Sequence, residues 1–223
     1  MPSRSYGELI SQAIVNCEFF NEKIQSTGTL AVTLAVNSTY RFARSKIPCL
    51  WQIAGSECLR ASSNVAPAAD CTSNFAFEWA GIPTNTDYYI WSMGVGTGGI
   101  QYRWRGDAGA IYLNMYTSAG ALAREIYNTT AFTFDFNSRH HFIIQSSSAG
   151  AAGSLWIDGI SIPVSYGGAG ATARGADDRW YITGISGGRV ANYLFRSWQS
   201  SLNQEEVAAL YDNYRNLVVP SKV

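Results

Sequence analysis

Charge is scarce in this sequence. Only 14% of its 223 residues are Asp, Glu, Lys or Arg, the two signs balance at sixteen each, and three of the basic residues are lysine. A neutral chain without clustered Lys and Arg has few counterions to displace from a phosphate backbone, which excludes nucleic acid as a partner. Histidine occurs twice, as the neighbours His140 and His141. Adjacent residues of a strand point to opposite faces, so this pair cannot jointly grip one metal ion. Cys17, Cys49, Cys58 and Cys71 show no C-x-x-C spacing, so neither a zinc knuckle nor a dithiol redox motif is present. Cys49, in an apolar run, reads as a small buried hydrophobe, and a Cys58–Cys71 bridge would need an oxidising compartment. There is no G-x-S-x-G elbow and no P-loop. No apolar run approaches bilayer-spanning length, which argues against a membrane partner. The N-terminal residues lack the apolar core of a signal peptide, so cytoplasmic assembly is expected. On that expectation the glycosylation sequons at Asn37 and Asn128 carry no weight.

Apolar residues make up 47% of the chain and aromatics 13%, which suits one well-packed domain of this length. Runs rich in β-branched and aromatic residues recur from Thr29 to Val36, Cys49 to Ala54, Phe75 to Ala80 and Tyr88 to Met93. They continue from Ile100 to Arg105, Ala110 to Tyr116, Ala121 to Tyr127 and Ala131 to Asp135. Gly, Ser, Asn, Asp or Pro separates nearly all of them, at the spacing of a sandwich or barrel. Near the N-terminus Leu9, Ile10, Ala13 and Ile14 recur at helical spacing, predicting a helix from Tyr6 to Val15 that packs on the domain's own sheet or serves as an arm docking on a neighbour. Later, Asp158-Gly159 stands between two apolar runs, the pattern of a two-residue type I′ hairpin turn. Asn203 followed three residues on by Glu206 forms a capping box, and Val207, Leu210 and Tyr211 then follow at helical spacing. Thirteen of the sixteen basic residues are Arg, which suits fixed interface contacts, and a lightly charged surface suits cover by a partner or by copies of the same chain. A homo-oligomer is expected.

The order of these last parts resembles the laminin-G-like branch of the concanavalin-A-like lectin/glucanase superfamily. The resemblance is carried by Trp156 to Gly159, Tyr181 to Gly184, Tyr193 to Leu202 and Asn203 to Tyr211. It implies an all-β, two-sheet antiparallel jelly-roll sandwich over residues 29–223 with a short C-terminal helix, residues 1–28 forming an N-terminal helix or arm. Glycosidases of the superfamily carry carboxylates at alternate positions of one strand, so that acid and nucleophile flank one sugar bond. Glu78 stands alone, with no further carboxylate until Asp87. No enzyme is therefore expected, and period-two logic places Glu78 in solvent, opposite Phe75, Phe77 and Trp79. Domains of this branch often hold calcium through loop oxygens, making Asp177 and Asp178 candidate ligands, although a paired Asp in a loop also reads as a turn. Stand-alone chains ending in a run such as EEVAALYDN, followed by an apolar Pro-containing tail, resemble structural proteins of tailed bacteriophages. The resemblance implies a non-enzymatic virion protein, a capsid decoration or accessory protein whose partners are the major capsid protein or other virion proteins.

A second reading comes from the aromatic residues themselves. Sugar-binding faces stack rings on C–H faces and use amide and guanidinium groups for hydroxyls. Trp104, Tyr112, Asn114 and Tyr116, with Arg103 or Gln101 at the edge, would line such a glycan face if their strands are neighbours. A two-sheet core also needs large rings at alternate positions, so core packing is the competing explanation. The tripeptide Arg105-Gly-Asp107 falls between two strand runs and reads as a turn.

Overall fold

The computed structural model describes residues 2–19, 27–28, 34–36, 40–43, 49–52, 59–61, 74–82, 87–93, 99–105, 110–116, 121–129, 138–147, 152–168, 180–182 and 191–218. The chain runs through α1 (Tyr6–Ser11), β1 (Val15–Glu18), β2 (Leu34–Val36), β3 (Tyr40–Ala43), β4 (Cys49–Gln52), β5 (Leu59–Ala61) and β6 (Phe75–Ile82). It continues through β7 (Asp87–Met93), β8 (Gly99–Arg105), β9 (Ala110–Tyr116), β10 (Leu122–Asn128), β11 (His140–Ser147) and β12 (Ala152–Ile157). Last come β13 (Ile160–Ile162), β14 (Val164–Gly167), β15 (Trp180–Ile182), β16 (Ala191–Trp198) and α2 (Gln204–Val218). These strands form two eight-stranded antiparallel sheets. Sheet A has the order β13-β12-β11-β6-β16-β4-β3, with β1 also paired to β16, and sheet B the order β14-β10-β9-β8-β7-β15-β5-β2. The expected two-sheet sandwich of jelly-roll kind is the fold. The expected strand from Ala131 to Asp135 lies outside the described residues, as do Cys58 and Cys71.

Alternation sets the inner face of sheet A. Phe75, Phe77 and Trp79 of β6 are buried, with Trp79 stacked on Phe142 of β11 at 5.2 Å and Phe77 on Phe195 of β16 at 6.3 Å. Each such ring contributes roughly 1.5–3 kcal/mol by leaving water. A buried indole N–H needs an acceptor, and Trp79 Nε1 donates to Asn192 Oδ1 at 2.8 Å. The hairpin turn is of the expected type, with Asp158 at φ 51° and Gly159 at φ 78°. Leu155 pairs with Ile162 and Ile157 with Ile160. Gly159 is required twice over, because a Cβ there would also stand 2.7 Å from the Tyr211 ring of α2. Pro163 marks the point where the chain leaves sheet A for sheet B, and the Tyr166 hydroxyl donates back across the gap to Gly153 O at 2.8 Å.

Both helices lie on the outer face of sheet A. The capping box of α2 forms as expected: Asn203 Oδ1 accepts from Glu206 N, and Glu206 Oε2 from Asn203 N, both at 2.9 Å. The helix then runs on to Val218, longer than the short helix expected, and takes in part of the apolar tail. The N-terminal helix is shorter than its spacing suggested. It ends at Ser11, and Val15 to Glu18 pair with Ser197 to Leu194 of β16, because sheet hydrogen bonds capture backbone that a solvent-exposed helix end would leave open. Residues 2–19 are thus built onto this chain's own sheet rather than standing off as an arm.

The helices overturn the expectation for Glu78. Leu9 and Ala13 from the N-terminal segment and Val207 and Leu210 of α2 bury Ala76, Ile143, Trp156 and Trp198 on the outer face of sheet A. Glu78 is in their midst, fully buried. Arg196 Nη1 donates to its Oε2 at 3.1 Å, and His141 Nε2 lies 2.7 Å from its Oε1. Arg196, equally buried, also donates through Nε to Asn16 Oδ1 at 2.8 Å and through Nη2 to Glu18 Oε1 at 2.7 Å and the Tyr6 hydroxyl at 3.2 Å. Burial works to raise the Glu78 carboxyl, but Arg196 and His141 outweigh it and hold the group below its ordinary value. Period-two logic assumes a wet outer face, and here that face is a second core. Glu78→Ala should destabilise the fold by about 3 kcal/mol, since it strips a buried guanidinium of a counter-ion. Urea unfolding would measure this, and Glu78→Ala with Arg196→Met should be less destabilising than Glu78→Ala alone.

Candidate functional site

Sheet B differs from sheet A in that, among the described residues, no helix covers its outer face. On β9 the alternation is incomplete, since Asn114 is buried along with the core row. Ile111, Leu113 and Met115 are fully buried toward the core, while Tyr112 and Tyr116 are half-buried on the other side. Tyr112 and Tyr116 thus keep part of their surface outside the core. Strand register extends the outer face across neighbouring strands, because directly opposed residues share a face. Tyr112 is opposed by Tyr127 of β10 and Arg103 of β8, and Asn114 by Glu125 of β10 and Gln101 of β8. Trp104 is opposed by Ile111, so its position belongs to the core-facing row and not with the three residues it was grouped with. The physical reason is the period of two: Arg103 and Trp104 cannot share a face.

The described side chains on this face make a compact group. The rings of Tyr112 and Tyr127 stack at 5.8 Å with 25° between their planes. Asn114 is 6% exposed, its Nδ2 reaches the Tyr116 hydroxyl only at 3.4 Å, and its Oδ1 has no hydrogen-bond partner. Across the strand pair, burial raises the Glu125 carboxyl above its ordinary value. Glu125 and Tyr127 were not among the residues expected from sequence. Their alternate spacing in Leu122 to Asn128 was the available signal, but only the register shows which neighbours they meet.

A concavity of about 790 Å³ lies where the N-terminal segment meets α2, lined by Arg4, Gln12, Asn74, Ser200, Asn203 and Glu206 among others. Its charges are already matched. Arg4 Nε donates to Glu206 Oε1 at 2.7 Å and Arg4 Nη2 to Oε2 at 3.0 Å, and further bonds run to Gln12, Ser200 and the Ser201 carbonyl. This is a clasp between chain segments. The histidines are divided as expected: His141 faces Glu78, while His140 Nδ1 lies 2.6 Å from Asp158 Oδ2. Among the described residues no three of His, Cys, Asp and Glu are placed to hold a metal ion, and no helix is long and apolar enough to cross a membrane. Asp177 and Asp178 lie outside the described residues.

No protein-family model and no curated protein matches this sequence. Solved structures do match the fold. The receptor binding domain of botulinum neurotoxin type G aligns with a TM-score of 0.68 at 14% identity, over 92% of this chain and 52% of that one. The binding domain of botulinum neurotoxin serotype D aligns with a TM-score of 0.70 at 10% identity, over 91% and 52%. The binding domain of botulinum neurotoxin DC, solved in complex with rat synaptotagmin II, gives 0.69 at 9% identity, over 91% and 51%. This chain spans about half the length of the structures it matches. At such identities the likeness is one of fold, a β-sandwich, and the three structures named are binding domains.

The clasp is open to test by pH. Burial works to raise the Glu206 carboxyl, but the Arg4 guanidinium and the backbone N–H groups of Asn203 and Arg4 outweigh it and push it down to about 2 from an ordinary 4.5. A depressed carboxylate contributes its full stability above the unfolded value and loses it as pH falls through the folded one. The melting temperature should therefore drop between pH 4.5 and pH 2, and Glu206→Gln should flatten that drop while lowering stability at neutral pH.

Proposed function

We propose that this chain is a non-catalytic binding module that offers the outer face of sheet B to carbohydrate. The observation that carries this reading is the pair of stacked, half-buried tyrosines, Tyr112 and Tyr127, beside an under-bonded amide on a face that no described helix covers. Aromatic rings give a saccharide's C–H face something to stack on, and the Asn114 amide supplies a directional bond to a hydroxyl. Receptor binding, the role named for the toxin domains of similar fold, is of the same broad kind. A Tyr112→Ala variant should lose retention on immobilised oligosaccharides by more than tenfold, while unfolding within about 1.5 kcal/mol of the wild type, the scale of one aromatic pair. Unchanged retention would remove the reading.

A second reading places the module on a virus particle as a capsid decoration or accessory protein, assembled in the host cytoplasm as a homo-oligomer on the major capsid protein. What supports it is the sequence resemblance through Glu205 to Asn213 and the low, balanced charge. Since residues 2–19 pack on their own sheet, contact with the particle would fall to the sheet B face or a sheet edge. The copy number of the chain in purified particles decides: near parity with the shell protein supports decoration, a handful supports a tail module, and absence sinks the virion reading.

A further inference from the structure

We infer that Glu125 and Asn114 form a polar subsite that selects a neutral hexose through two neighbouring ring hydroxyls and turns acidic sugars away. This rests on reading the sheet B face as a saccharide surface, and adds to it the class of sugar.

The two side chains are a directly opposed cross-strand pair, so their Cβ atoms stand about 5 Å apart on one face. Asn114 presents a buried amide oxygen with no hydrogen-bond partner. An orphaned polar atom of this kind costs about 1–3 kcal/mol, which a bond from a ligand hydroxyl would offset. Its Nδ2 reaches the Tyr116 hydroxyl at 3.4 Å, a long and weak bond, so an incoming hydroxyl displaces it at little cost. Turning the amide about would only exchange which of its atoms lacks a partner, and a sugar hydroxyl, both donor and acceptor, satisfies either.

Glu125 narrows the choice. It is half-buried, and burial alone accounts for the upward shift of its carboxyl, with no cation contributing. Such a group is an acceptor in want of donors. A hydroxyl donor suits it, and its charge makes that bond roughly twice as strong as a neutral one. A second carboxylate, as on a sialic or uronic acid, would be repelled by a like charge in a poorly solvated place. Adjacent hydroxyls on one pyranose lie close enough for one to reach Glu125 and the next Asn114 while the ring rests against Tyr112 and Tyr127.

The test uses the whole chain against glucose-, mannose- and galactose-terminated oligosaccharides and their sialylated counterparts, with thermal unfolding as the control for folding. Wild type should prefer the neutral set. Glu125→Gln should bind neutral sugars about tenfold more weakly, the loss of a charged hydrogen bond, and the preference over sialylated sugars should narrow. Glu125→Asp, which keeps the charge but shortens the reach, should lose affinity and keep the preference. Neutral binding unchanged in Glu125→Gln, while Tyr112→Ala abolishes it, would overturn the subsite and leave the saccharide face standing. A wild type that favours sialylated sugars would do the same. Retention of no saccharide at all by the wild type would overturn both.

Discussion

One buried guanidinium holds the outer half of this molecule together. Arg196 donates to Asn16 and approaches Glu18 on β1, meets Glu78 on β6, and touches the Tyr6 hydroxyl on α1. A charge so far from water is tolerable only when opposite charge and hydrogen bonds surround it. The N-terminal residues supply three of its partners, so they are part of the fold's requirements. The Tyr6 ring also lies 5.8 Å beneath the guanidinium, and Trp198, two residues along the same strand face, donates its indole N–H to the Leu9 carbonyl at 2.7 Å. One row of side chains on β16 thereby fixes where the first helix lies.

That cover makes the two sheets unequal. Sheet A is packed on both faces, against sheet B on one side and the two helices on the other, and His141 stacks on Tyr214 of α2 at 5.0 Å within the same layer. On that face Glu78 is spent on Arg196 and His141. Sheet B has no described helix over its outer face, and there Asn114 Oδ1 is without a hydrogen-bond partner. Glu78 and Glu125 illustrate the difference: one carboxyl is held low by a buried cation, the other is raised by burial with none.

The likeness to the toxin binding domains extends through nine-tenths of the chain at identities of 8–14%. Such a likeness is carried by the pattern of inward residues and by strand order, and these constrain the surface very little. One sandwich can therefore host unrelated ligands.

Local chemistry was legible in the sequence because it depends on neighbours in the chain. The Asp158-Gly159 turn needs only two residues that accept positive φ, and the Asn203–Glu206 box only a side chain three residues from its partner. The alternation in β6 and β9 likewise announced strands of a sandwich. Which face of each strand is dry depends on what is laid over it, and that is decided by segments far away in sequence. Glu78 and Arg196 are 118 residues apart, and Arg4 and Glu206 are 202 apart. Trp104 and Arg103 could be sorted only by the register between β8 and β9. By itself the sequence determined the strands, the turn, the caps and the sandwich, since these follow from propensity and period. The tertiary structure alone decided that Glu78 is core and Glu125 only half-buried, because burial is a property of the whole packing and not of any one strand.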